Sequence, residues 1–181
     1  MKRAFASAGA ALGCAHSKGA LARCYTWGYG VARDAARGLA LGRESAAAGS
    51  CFGQYVVGAC YYNGCGGVAQ DYAEAARLYS LAATQGHARA QVNLGVMFYN
   101  GRGVAQDHAE AVRLYSLAAA NGHARAQYSL GFMFEDGQGV AQDRAEAIRW
   151  YRLAAAQGHV EAQGRLDAWV PRSRKRARVG A

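Results

Sequence analysis

A period of 36 residues runs through the chain, and nothing else in the sequence limits its fold as much. Residues 85–120, QGHARAQVNLGVMFYNGRGVAQDHAEAVRLYSLAAA, lie over residues 121–156, NGHARAQYSLGFMFEDGQGVAQDRAEAIRWYRLAAA, without a gap. An earlier copy consists of SCFGQYVVGACYYNGCGG (50–67) and VAQDYAEAARLYSLAAT (68–84), with one extra residue in its turn, at Gly66 or Gly67. A fourth, eroded copy precedes it: VARDAARGLALGRESAAAG (31–49) matches 104–122 at an offset of 73, with GALARCYTWGYG (19–30) in register upstream. QGHVEAQGRLDAWV (157–170) restarts a copy and stops. The chain therefore divides into a leader at 1–12, an array at 13–170 and a tail at 171–181. The array has copies at 13–48, 49–84, 85–120 and 121–156, closed by a half copy at 157–170. Such a chain stacks one supersecondary unit upon the next, each burying its apolar face on its neighbours.

Each copy reads as two helices. The first is expected over about Ala88 to Asn100, with Ala90, Leu94, Met97 and Phe98 on one face at helical spacing. It ends at Gly101 and Gly103, where glycine takes the left-handed backbone of a tight turn. The second begins at Asp107, whose carboxylate caps the free amides while Glu110 reaches back to it. Asp71 with Glu74 and Asp143 with Glu146 repeat this box, whereas Asp34 is followed by Arg37 and keeps half of it. The second helix is expected to bury Ala109, Val112, Tyr115 and Ala119 and to stop at Asn121 and Gly122, a terminator recurring at Gly86 and Gly158. Helices this short do not stand alone in water.

The pattern A-x-x-x-L-G-x-x-[FY]-x-x-G-x-G-V-x-x-D-x-x-x-A-x-x-x-Y-x-x-A-A-x-x-G resembles the Sel1-like repeat, a relative of the tetratricopeptide repeat. Leu94, Gly95, Phe98, Gly101, Gly103, Val104, Asp107, Ala111, Tyr115, Ala118, Ala119 and Gly122 carry it, and the next copy repeats it from Leu130 to Gly158. Alanine stands at 69, 105 and 141, where the family often has proline, so the turn is less stiff. The resemblance implies an all-α fold, a right-handed α-solenoid of stacked antiparallel helix hairpins with about four repeats and a C-terminal capping helix. It also implies a scaffold or adaptor that binds a protein or peptide on the concave face lined by the first helices.

Composition narrows the setting. At 181 residues the chain has the length of one domain, and no apolar run approaches the roughly 20 residues of a membrane-spanning helix. Lys2 and Arg3 ahead of an Ala-rich stretch resemble a signal peptide of low hydrophobic strength; the other reading is a leader or the remnant of a helix capping the array. Five cysteines, Cys14, Cys24, Cys51, Cys60 and Cys65, lie in the first 65 residues. Cys24 and Cys60 align with Met97 and are expected in the core. Secreted cysteine-rich members of the resembled family staple each hairpin with recurring pairs. Here the third and fourth copies have none, which favours reduced thiols in an intracellular setting, cytoplasmic or nuclear, over secretion.

The net charge of +9 sits at the ends. Residues 1–48 hold seven Lys and Arg against two acids, residues 49–156 eight against eight, and residues 157–181 six against two. The intact repeats are neutral and provide no track for phosphates, so nucleic acid along them is not expected. After Pro171, the cluster Arg174, Lys175, Arg176 and Arg178 resembles a nuclear-import signal; read plainly, it is a solvated basic tail suited to polyanions.

Catalysis needs unlike groups converging on one point. His87, His123 and His159 recur once per copy, which strings them roughly 10–20 Å apart on usual interhelix distances, too far to share a metal. They are expected to satisfy backbone groups between hairpins. Cys60 and Cys65 have no histidine close by in sequence to complete a zinc site. No G-x-S-x-G, phosphate loop or metal-protease motif occurs, and the S-x-x-K of the β-lactamase label carried by some secreted relatives is missing. Neither a catalytic residue, a metal site nor a cofactor is assigned. Specificity is expected where the first helices differ between copies: Tyr55, Tyr62, Asn93, Val96, Tyr99, Tyr128, Ser129, Phe132 and Glu135.

Overall fold

The computed structural model describes residues 14–169, which form helices and no strand. In chain order these are α1 (Ala15–Trp27), α2 (Ala35–Ala47), α3 (Cys51–Asn63), α4 (Tyr72–Thr84), α5 (Ala88–Asn100), α6 (His108–Ala120), α7 (Ala124–Asp136), α8 (Arg144–Ala156) and α9 (Val160–Trp169). Each of the first eight has 13 residues. The described residues fall into two compact units that meet in sequence at Asp107 and His108. In the first, α1 pairs with α2 and α3 with α4, while α2 packs on α3 and α4 on α5. In the second, α7 pairs with α8, α6 packs on α7 and α9 on α8. This is the all-α array of consecutive helical hairpins that the period implied.

Local chemistry sets the helix ends. The first helix of each hairpin stops at a glycine in the left-handed region, Gly28, Gly64, Gly101 and Gly137. Asp34, Asp71 and Asp143 each cap the following helix by accepting a backbone N–H two or three residues on. The returning half of the box differs from expectation. Glu74 and Glu146 turn instead to Arg77 and Arg149, three residues on, because a guanidinium is a stronger donor than a neutral amide.

The turn glycines resolve the extra residue in the second hairpin. Gly103 lies directly against the backbone of Tyr72, and Gly139 against that of His108, where a side chain would collide. At Gly66 an added Cβ would stand 2.7 Å from the carbonyl oxygen of Ala35, the first residue of α2. Gly66 is thus the equivalent of Gly103 and Gly139, and Gly67, which faces open space, is the insertion.

Burial follows the expected face on the first helices, where Ala90, Leu94 and Met97 are buried and Phe98 half-buried. Cys24 and Cys60 are buried as expected of small core residues. The second helix differs. In α6 the buried residues are Ala111, Leu114, Tyr115, Ala118 and Ala119, whereas Ala109 is exposed and Val112 half-buried. The stripe is rotated so that the longer Leu114 rather than Val112 fills the interior. In the second unit Tyr151, Ala147, Ala154 and Ala162 form a core closed by Tyr128, Phe134, Leu166 and Trp169.

Candidate functional site

The nine candidate partner-binding positions separate by unit. In the first, Tyr55 is buried on α3: its ring stacks on His87 with centroids 4.6 Å apart and lies 5.9 Å from Tyr79. Burial pushes its hydroxyl pKa up. Tyr55 thus packs α3 against the start of α5 and offers little surface. Tyr62, the next-to-last residue of α3, is half-buried; its hydroxyl accepts from Arg102 Nη1 at 2.9 Å and its ring meets Tyr72 edge-on at 5.2 Å. Asn93 is half-buried on α5. Val96 and Tyr99 are half-buried on α5, and their carbonyls accept from Asn100 and Gln106 at 2.7 and 2.8 Å.

In the second unit, Tyr128 is half-buried on α7 and stacks on His159 at 4.6 Å with planes 17° apart. The Tyr128–His159 pair repeats the Tyr55–His87 pair, so His87 and His159 are aromatic spacers between hairpins. His87 also caps α5, its Nδ1 accepting from the Ala90 amide at 3.2 Å, the backbone role expected of all three recurrent histidines, whereas the His123 side chain does not cap α7. Ser129 turns its hydroxyl to the Arg125 carbonyl at 3.0 Å. The Arg165 guanidinium lies 5.8 Å from the centroid of the half-buried Phe132 ring.

Glu135 is the most constrained of these side chains. Tyr151 donates its hydroxyl to Glu135 Oε2 at 2.6 Å, and Arg165 Nη1 binds Oε1 at 3.1 Å. Burial first, then the adjacent carboxylate, raises the Tyr151 pKa and holds the phenol protonated as a donor. Both carboxylate oxygens are engaged, so Glu135 positions Arg165 rather than offering a free base. The result is a small ledge on which Tyr128, Phe132 and Arg165 stand together, with Trp169 5.7 Å from Tyr151 and Arg144 4.9 Å from the Trp169 ring.

Arg102, Arg165 and Trp169 belong to these surfaces and were not singled out from the sequence. Arg165 stands where the preceding copy has Ser129, and this departure in the closing half copy is the signal that marks it. Arg174, Lys175, Arg176 and Arg178 lie outside the described residues. Among the described residues no group of three or more His, Cys, Asp or Glu is placed to hold a metal ion. No helix among them is long and apolar enough to cross a membrane. The geometry thus provides aromatic faces, hydrogen-bonding tips and positioned guanidinium groups, which suit noncovalent recognition.

The Sel1 repeat family model matches four consecutive blocks, residues 10–50, 52–87, 88–123 and 124–159. Among solved structures, the chain is similar to a protective antigen present in uropathogenic Escherichia coli strains and displaying an SLR fold, with 37% identity and a TM-score of 0.79. A Sel1 repeat protein from Oxalobacter formigenes shares 30% identity with a TM-score of 0.72. The matches cover 91% and 82% of this chain but only 35% and 61% of those proteins, so the chain spans less than two thirds of their length. Cysteine rich protein B of Helicobacter pylori shares the fold alone, at 19% identity and a TM-score of 0.55 over 71% of this chain and 95% of that one. No curated protein matches the sequence.

Proposed function

The chain belongs to the Sel1 repeat family, and on that footing we propose that it is a non-catalytic scaffold or adaptor holding a partner protein, or a peptide segment of one, against the first helices of its hairpins. The observation that carries this reading is the Tyr128, Phe132 and Arg165 ledge, where Glu135 and Tyr151 fix the guanidinium beside half-exposed aromatic rings. Pre-positioned aromatic and guanidinium groups contribute most to protein recognition because ordering them costs little on binding. The neutral repeats support a partner met by apolar and polar groups rather than by a field of one sign. Affinity capture with the full chain tests this. Phe132→Ala combined with Arg165→Ala is expected to reduce partner recovery at least tenfold with helical content unchanged by circular dichroism; unaltered recovery rejects the ledge as the binding surface.

The segregation of charge favours a second activity for the tail, targeting through Arg174, Lys175, Arg176 and Arg178 to the nucleus or to a polyanion. A fluorescent fusion of the whole chain is then expected to leave the nucleus when Lys175 and Arg176 become alanine. A fusion that stays nuclear rejects the import reading.

A further inference from the structure

The C-terminal end of α3 brings two thiols together. Gly64 takes the left-handed conformation there, with φ 63°, and the Cys65 amide donates to the Cys60 carbonyl at 3.0 Å. This is the six-residue Schellman closure, a motif that commonly sets the side chains at its two ends against each other. The same backbone bond recurs in the other first helices, from Tyr29 to Cys24, Arg102 to Met97 and Gln138 to Met133. In the second hairpin both ends are cysteine, so the closure sets the two thiols side by side. Cys60 is fully buried, while Cys65 is partly exposed and lines a cavity of about 470 Å³ with Thr26, Trp27, Arg33, Asn63 and Gly64. The inserted Gly67 faces open space and leaves the turn room to adjust.

We propose that Cys60 and Cys65 form a redox dithiol, which a hydroperoxide entering this cavity converts into a disulfide closing the end of α3. The Cys65 thiolate attacks the peroxide O–O bond, leaving a sulfenic acid and releasing hydroxide, or alkoxide from an organic peroxide, which takes up the proton Cys65 lost and leaves as water or alcohol. The Cys60 sulfur then attacks the Cys65 sulfur. The S–S bond forms, the S–O bond breaks, and the departing hydroxyl leaves as water with the proton of Cys60. Two thiols lose two electrons and two protons, and hydrogen peroxide is reduced to two waters. Burial, then the neighbouring Cys65, pushes the Cys60 thiol up to about 12, which makes it the resolving partner rather than the first nucleophile.

The test uses the full, reduced chain exposed to hydrogen peroxide, alkylated and mapped by mass spectrometry after cleavage at aromatic residues. The expected result is the loss of two hydrogens in the linked fragments holding Cys60 and Cys65, ahead of any change at buried Cys24 and Cys51. Dithiothreitol reverses it. In Cys65→Ser the loss disappears and Cys60 remains a thiol, whereas in Cys51→Ser it persists. A loss that survives in Cys65→Ser, that requires Cys51, or that joins Cys65 to Cys14 overturns the proposal. So does Cys65 advancing to sulfinic acid while Cys60 stays alkylatable. Circular dichroism of each variant checks that the helices are retained.

Discussion

At the scale of single residues, space and charge decide. A Cβ added at Gly131 would stand 2.6 Å from the ring of Tyr151, which is fully buried and tied to Glu135, so the ring cannot withdraw. Gly131→Ala is expected to destabilise by about 1–2 kcal/mol in urea unfolding, overpacking outweighing the better helix propensity of alanine. Gly164 on α9 meets nothing within 4 Å, and there the same change is expected to stabilise by about 0.5–1 kcal/mol. Equal effects at both sites would contradict the packing described. Cys60 makes a pH prediction. Its pKa is raised from 9.0 to about 12, so above pH 9 the unfolded chain releases a proton that the folded chain retains. Stability is full below pH 9 and falls as pH rises towards 12, a slope that Cys60→Ala should reduce in thermal melts at stepped pH.

At the scale of elements, capping is the feature that the sequence announces best. Asp143 accepts from the amides of Ala145 and Glu146 at 2.8 and 3.1 Å, and Asp143→Ala is expected to cost about 1 kcal/mol in denaturant unfolding. A loss under about 0.3 kcal/mol would show that the cap contributes nothing there. Aspartate, glycine and the 36-residue period were legible because each acts on its own backbone. The buried face of α6 was legible only in part, since Ala109 is apolar by type but exposed, and alanine carries almost no preference for either side. Tyr55 and Tyr128 occupy equivalent places, yet one is buried and the other half-exposed, because their surroundings, not their identity, set exposure. The bond from Glu135 to Arg165 spans 30 residues and joins two helices, so no local pattern reveals it.

At the scale of the whole chain, the repeats carry no net charge over residues 49–156 and the excess sits at both ends. Recognition by the repeats should therefore depend little on salt, whereas any contact of the tail with a polyanion should weaken steeply as salt rises. Partner capture at two ionic strengths distinguishes the two. The proposed function requires that a partner be held by the first helices. Its most direct test places a photo-crosslinking side chain at Phe132 on α7, at Leu117 on α6 (42% exposed), or at Lys175 in the tail. A partner adduct is expected from position 132, with no adduct of that same partner from 117 or 175. Adducts from 117 or 175 with none from 132 would contradict it.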